Sequence, residues 1–333
     1  MSMNCGKTEI IVESGALKRA GEIFSCTGKV LILTDDGVPG VYAETVAESL
    51  KKQGAVPFIQ VMPAGENHKN LQTVETLLGF MLEKQFGRKD AVVTVGGGLV
   101  SDLGGLVASL YMRGVPAYFV PTTLLSMADA SFGGKTGVNF GGIKNAIGAF
   151  YPAEKVLMDP DTLKTLDKRI FAEGMAEIIK MAATLDSALF GIFETLTTEG
   201  LMEKLEDIIK WSVALKTEVV EKDPKEQGLR RVLNFGHTIG HAVEALGEGK
   251  YLHGESVAIG MIPMCSEATK DRLKKVLEKF DLETEISASK EDILAKILHD
   301  KKSVGTKVYA VLLKEIGQFE MVLMTPEEVV ERI

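Results

Sequence analysis

Hydrophobic positions along this 333-residue chain follow two rhythms. In the first half, short unbroken apolar runs alternate with amphipathic stretches. KVLILTD (29–35), VPFIQVM (56–62), AVVTVGG (91–97), AYFVPTT (117–123) and KVLMD (155–159) read as strands, with helical periodicity near 39–53, 70–86 and 100–111. A strand apolar on both sides is covered on both faces, so this alternation predicts a parallel sheet clothed by helices. From about Leu163 to Asp300 the pattern is helical, with no strong strand. A late pair, KVYAVLL (307–313) and QFEMVLM (318–324), reads as a hairpin over a KEIG turn, and Thr325-Pro326 opens a last short helix. The rhythm changes near 160–167, which predicts two domains, 1–166 and 167–333, as the length also favours.

Composition narrows the possibilities. Hydrophobic residues make up 45% and charged residues 25%, ordinary globular usage. The N-terminal MSMNCGKTEIIVES lacks the basic flank and apolar run of a signal peptide, and no apolar stretch reaches membrane-spanning length. Cys5, Cys26 and Cys265 are scattered and odd in number, which argues for a reducing cytoplasm and against a thiolate metal site. A net charge of -8 disfavours nucleic acid, so any anionic ligand must be held by a local group of cations.

AVVTVGGGLVSDLGG (91–105) places Gly96, Gly97 and Gly98 between a buried strand and a helix. There the backbone can approach a pyrophosphate, and the helix N-terminus favours negative charge. Asp35 ends the first apolar strand, where a carboxylate meets a ribose hydroxyl; a plain tight turn is the alternative. The next segment, TTLLSMADASFGGKTGVNFGGIKNAIGAF (122–150), lacks the spacing of a Walker phosphate loop. Its glycines beside Asp129, Lys135, Lys144 and Asn145 read as loops wrapped around ligands, with a solvated loop as the alternative.

Three of the five histidines, His237, His241 and His253, fall within seventeen residues. LRRVLNFGHTIGHAVEAL (229–246) reads as one helix that aligns Arg230, Asn234, His237 and His241 in a stripe. Gly236 and Gly240 weaken that helix, which implies close approach of another element or a ligand. Glu177 and Lys180 share a face of a second apolar helix. A lone histidine is usually a satisfied core residue, but two or three with a carboxylate match the donor set of a catalytic metal. Without a metal, burying all four is costly.

These motifs, from Asp35 to Lys302 and in this order, resemble the 3-dehydroquinate synthase family: VGGGLVSDLGG, PTTLLSMADASFGGKTGVN, KNAIGAFY, GMAEIIK, LNFGHTIGHA and LHGESVAIGM. The resemblance implies an α/β, Rossmann-like nucleotide-binding domain followed by a mainly α-helical metal-binding domain, with the active site between them. It implies NAD and one divalent metal, zinc or cobalt, the metal held by Glu177, His237 and His253. His241 would contact substrate and relay protons. Asp35, Glu66, Lys69, Gly98, Asp102, Thr122, Thr123, Lys135, Lys144, Thr162 and Thr165 would lie along NAD. Asp129, Lys135, Asn145, Lys180, Lys216, Arg230, Asn234 and Lys302 (or Lys301) would surround a small phosphorylated sugar acid. Arg113 would reach the phosphate from a neighbouring subunit, which implies a homodimer.

The implied reaction converts 3-deoxy-D-arabino-heptulosonate 7-phosphate to 3-dehydroquinate and phosphate. It runs by transient oxidation, elimination, re-reduction and aldol closure, in the shikimate pathway to aromatic amino acids. Three positions depart from the family pattern, Ala64, Ile143 and Asp167, and they bear on NAD affinity more than on chemistry. The rival readings are a cyclase making another carbocycle, a metal-dependent polyol dehydrogenase and a non-enzymatic relative. The first would differ around Lys216, Asn234 and His241, the second would need few phosphate-binding cations, and the third would have lost a metal ligand.

Overall fold

The computed structural model describes residues 2–300 and 307–333. Packing divides the chain into two units, Met1–Leu166 with Glu206–Thr217, and Asp167–Leu205 with Glu218–Ile333.

The first unit contains β1 (Ser2–Cys5), β2 (Thr8–Val12), α1 (Ala20–Phe24), β3 (Lys29–Asp35), α2 (Gly40–Lys52), β4 (Val56–Met62), α3 (Leu71–Glu83), β5 (Ala91–Gly96), α4 (Gly98–Leu110), β6 (Ala117–Pro121), β7 (Lys135–Phe140), β8 (Ile143–Phe150) and β9 (Lys155–Met158). Seven strands form one sheet in the order β1-β2-β9-β6-β5-β3-β4, parallel except where β1 meets β2. Four of the five runs read as buried strands, β3, β5, β6 and β9, lie inside it, and every residue of β5 is buried, whereas the fifth, β4, is the edge strand and exposes Val56, Ile59 and Val61. Phe24, Ile32, Val46, Leu50, Val93 and Leu157 share one core cluster. Removing apolar side chains of this size from water contributes roughly 1.5–3 kcal/mol each.

From β3 the chain adds β4 on one side, then returns to place β5, β6 and β9 on the other. The carboxyl ends of β3 and β5 therefore flank the point where strand order reverses, the usual ligand crevice of an open parallel sheet. Asp35 and Gly96 end those two strands.

Two features differ from expectation. β1 and β2 extend the sheet at residues where the apolar pattern was too short to signal strands. The glycine-rich 122–150 segment is not simply loop, because residues 135–150 form the antiparallel β7–β8 hairpin. Gly141 and Gly142 both hold positive φ, +60° and +79°, which a two-residue mirror-image turn requires.

The second unit is built on α5 (Lys168–Leu185), α6 (Ser187–Thr195), α7 (Thr198–Glu203) and the ends of α8 (Leu205–Lys222). These are followed by α9 (His237–Leu246), α10 (His253–Met261), α11 (Glu267–Lys279), α12 (Lys290–Asp300), the β10 (Val308–Glu315)–β11 (Gln318–Met324) hairpin and α13 (Pro326–Val330). The middle stretch of α8, Glu206–Thr217, packs with the first unit, where Glu206 accepts the Ser14 N–H and hydroxyl at 3.1 and 2.7 Å. Asp167, a departure from the family pattern, caps α5 by accepting the Arg169 N–H at 2.8 Å. Thr325 and Glu328 close a capping box at α13, as Thr325-Pro326 predicted.

Candidate active site

Many of the predicted residues of the first unit follow the carboxyl ends of its strands, Glu66 and Lys69 after β4, Gly98 and Asp102 after β5, Thr122 and Thr123 after β6, and Thr162 and Thr165 after β9, whereas Arg113 precedes β6. Gly97 is the N-cap of α4 and supplies no side chain, so the first N–H groups of a thirteen-residue helix are not capped from within. A Cβ on Gly98 would lie 2.9 Å from the Ala130 Cβ, so glycine keeps this turn open. Lys69, almost fully buried, donates to Asp102 Oδ2 and Asn145 Oδ1, both at 2.6 Å. Burial raises the Asp102 carboxyl although Lys69 opposes it, and burial likewise raises Asp35.

Asn145 holds a left-handed backbone, φ +52°, and its N–H donates to Asn139 Oδ1 at 2.9 Å. Asn139 in turn donates to Glu66 Oε1 at 2.8 Å. A cavity of about 280 Å³ opens beside Glu66, Lys69, Asn139 and Lys144. The Thr162 carbonyl and the Thr165 hydroxyl both meet the Tyr42 hydroxyl, and Thr122 is buried. Thr123 Oγ1 accepts the Ser126 N–H at 3.2 Å. Lys216 pairs with Asp129 Oδ1 at 2.7 Å and lies over the Phe132 ring. Lys135 is exposed on β7. Arg113 is exposed in a turn where Met112, Arg113 and Gly114 all hold positive φ.

In the second unit, the predicted single helix over 229–246 is two pieces. A 3-10 turn spans Leu229–Asn234, the chain bends at Gly236 with φ +79°, and α9 begins at His237. Arg230 and Asn234 therefore do not continue the histidine stripe. The bend has a packing cause. A Cβ on Gly236 would sit 2.7 Å from the Val257 carbonyl oxygen, and one on Gly240 would sit 2.8 Å from that of Ser256. The element that approaches these glycines is α10, which carries His253.

That approach gathers the histidines. One ring nitrogen from each of His237, His241 and His253 lies within 4.8 Å of the others. Glu177 reaches the same place from α5. Its Oε2 takes the ammonium of Lys180, one turn along, in a fully buried ion pair. Its Oε1 is buried with no hydrogen-bond partner among the described residues and lies 3.8 Å from both His237 Nε2 and His253 Nε2.

An orphaned carboxylate oxygen facing two imidazole nitrogens is costly unless a cation completes it. Ligand atoms around a tetrahedral zinc at ~2.0–2.1 Å sit about 3.4 Å apart, close to this spacing. Burial, then the Lys180 charge and the neighbouring imidazoles, hold His237 well below the usual histidine range, which keeps it in the neutral form that ligates. Its Nδ1 lies 3.2 Å from the Phe235 carbonyl, leaving the Nε2 lone pair to face Glu177. For His253, burial pulls the imidazolium down, but the Glu244 contact and the charges of Glu177 and Glu244 outweigh it.

Two acidic residues escaped the sequence reading. Glu226 accepts from Asn234 Nδ2 at 2.8 Å, and nothing in its loop marked it. Glu244 lies 3.3 Å from His253 Nδ1, and its spacing of seven from His237 was a visible signal. Buried Arg230 donates to the Pro224 carbonyl at 3.1 Å. Lys301 and Lys302 lie outside the described residues.

An α/β unit with a phosphate-ready turn and a helical unit with a histidine–carboxylate cluster define a class of nucleotide- and metal-using enzymes. The family models for the 3-dehydroquinate synthase N-terminal and C-terminal regions match residues 59–173 and 174–303. The chain belongs to the 3-dehydroquinate synthase family. It is 41% identical over 340 residues to 3-dehydroquinate synthase of Lactococcus lactis subsp. cremoris strain SK11, covering 97% of this chain and 96% of that protein. Against the Enterococcus faecalis strain OG1RF enzyme of the same name it is 40% identical over 336 residues, covering 96% and 94%. Among solved structures, 2-epi-5-epi-valiolone synthase from Streptomyces hygroscopicus subsp. jinggangensis 5008, with NAD+ and Zn2+ bound, matches with a TM-score of 0.89 and 28% identity over 99% of this chain and 96% of that one.

Proposed function

We propose that the partnerless Glu177 oxygen, with His237 and His253, holds the divalent metal of a 3-dehydroquinate synthase. The reaction is conversion of 3-deoxy-D-arabino-heptulosonate 7-phosphate to 3-dehydroquinate and phosphate. A bound zinc or cobalt would acidify a substrate alcohol, and NAD would supply reversible hydride transfer. The chain's own residues do the rest. Lys180 secures Glu177 Oε2, so that Oε1 alone is offered to the cation. His241, exposed beside the two ligand histidines, moves protons at the substrate hydroxyls.

In the first unit, the α4 N-terminus at Gly98 would hold the NAD pyrophosphate, and Asp35, Glu66, Lys69, Asp102, Lys144 and the threonines at 122, 123, 162 and 165 would line the rest of its site. Lys216, fixed by Asp129, and Lys135 and Asn145 bind the substrate's anionic groups. Lys180, Arg230, Asn234 and Lys301 or Lys302 are the substrate-binding residues this reading assigns to the second unit.

A homodimer in the cytoplasm completes the reading. Arg113, exposed on its strained turn, is the residue offered to the neighbouring subunit, and Cys26 and Cys265 are free thiols. Among the described residues no helix is long and apolar enough to cross a membrane.

The buried carboxylate oxygen at 3.8 Å from two Nε2 atoms is the observation that carries this reading. The test is stoichiometry. With substoichiometric NAD, phosphate should accumulate over many turnovers with no net NADH absorbance. NADH rising one-for-one with product would install a polyol dehydrogenase instead.

A further inference from the structure

The two imidazoles that face Glu177 are held from behind in different ways. His237 starts α9, rests its Nδ1 on the Phe235 main-chain carbonyl and has a side chain 13% exposed. His253 starts α10 and is 30% exposed, so packing constrains it less. Its Nδ1 meets the Glu244 carboxylate at 3.3 Å, a side chain itself only 15% exposed. Glu244 comes from α9, two turns beyond His237, so it ties the His253 ring to the neighbouring helix.

We propose that Glu244 is a positioning residue for the metal site, and this rests on the metal reading of Glu177, His237 and His253 above. Accepting the His253 Nδ1–H selects one tautomer, turns the Nε2 lone pair toward Glu177 Oε1, and makes that nitrogen a better donor. The anionic acceptor also offsets part of the cation's charge. The contact joins α9 and α10 a second time, beyond the glycine packing that brings them together. Carboxylates placed behind a ligating histidine typically change metal affinity 10–100-fold when removed.

The test uses purified full-length protein, zinc and a competing chelator, and no substrate. Wild-type protein that fails to take up one zinc per chain would overturn the metal reading itself. Given that uptake, Glu244→Ala should lose at least tenfold in zinc affinity while keeping a cooperative thermal transition. It should also alter the visible spectrum of the cobalt-loaded site. Glu244→Gln, whose amide oxygen still accepts the ring N–H, should recover at least half of that loss on a logarithmic scale. Should the alanine variant not fold, Glu244→Asp replaces it: the shorter side chain keeps the charge but withdraws the acceptor, and the same tenfold loss is expected. Zinc affinity within threefold of wild type in the folded alanine or aspartate variant overturns the proposal, as does glutamine performing no better than alanine.

Discussion

The two units prepare for their ligands by opposite means. The first works through backbone: an uncapped helix start at Gly97, the ends of β3 and β5 at the reversal of strand order, and a left-handed Asn145. The second works through side chains: a buried Glu177–Lys180 pair and three imidazoles brought together by glycines that let α9 and α10 touch. Backbone devices tolerate side-chain changes but not an added Cβ. A buried charge cluster tolerates neither partner's loss, because the survivor has no water to turn to. Substitutions should therefore act differently in the two units.

The largest effects are expected in the second unit. His237→Ala should remove the metal and lower activity by about three orders of magnitude or more, since metal polarisation contributes several kcal/mol. Metal analysis beside circular dichroism checks this, and full activity in metal-free protein would end the metal reading. Lys180→Met, which leaves Glu177 buried with its oxygens uncompensated, should destabilise the apoprotein by about 3–5 kcal/mol. Denaturant titration measures it, and zinc should restore part of the loss.

Next comes the backbone. Gly240→Ala puts a Cβ against the Ser256 carbonyl and should cost about 1–3 kcal/mol as α10 is displaced, with zinc affinity falling in parallel. Gly98→Ala, whose Cβ would lie 2.9 Å from that of Ala130, should cost a similar amount of stability and, unlike Gly240→Ala, also weaken NAD binding, measured by calorimetry. Equal effects of both glycine variants on NAD would erase the contrast drawn here.

Of comparable size but confined to binding, Lys135→Ala or Arg230→Ala should weaken the phosphorylated substrate by about 1.5–3 kcal/mol each while NAD affinity holds. Binding of substrate and NAD measured separately decides it.

The smallest effect concerns pH. Hydrogen bonds from Lys210 and Ser14 hold the Glu206 carboxyl down at about 2, against 4.5 when unpaired. A depressed carboxyl stabilises the fold fully above 4.5 and loses that contribution as pH falls through 2. Glu206→Gln should therefore melt lower than wild type at neutral pH, by under about 1 kcal/mol because the pair is solvent-accessible. The two curves should converge below pH 2.

Much of this was legible along the chain because it depends on local pattern. Continuous apolar runs become central parallel strands only if both faces are covered, so β3, β5, β6 and β9 could be read directly. The i, i+3 spacing of Glu177 and Lys180 and the i, i+4 spacing of His237 and His241 are properties of any helix. The motif order carried the family, and with it the reaction. The β7–β8 hairpin was harder to read, since its glycines serve turn and cross-strand packing rather than loop. Glu226 and the β1–β2 pair left too little signal.

What the tertiary structure alone decided is contact between segments distant in sequence. Periodicity joined Arg230 to His241 in one helix, whereas the approach of α10 bends the chain at Gly236 and divides them. Sequence marked Glu177, His237 and His253 as donors, but only packing left one carboxylate oxygen without a partner and equidistant from two ring nitrogens. Helix periodicity and apolar burial are short-range and written residue by residue. Which buried polar atom goes unsatisfied depends on every element around it, and that is settled only when the helices pack.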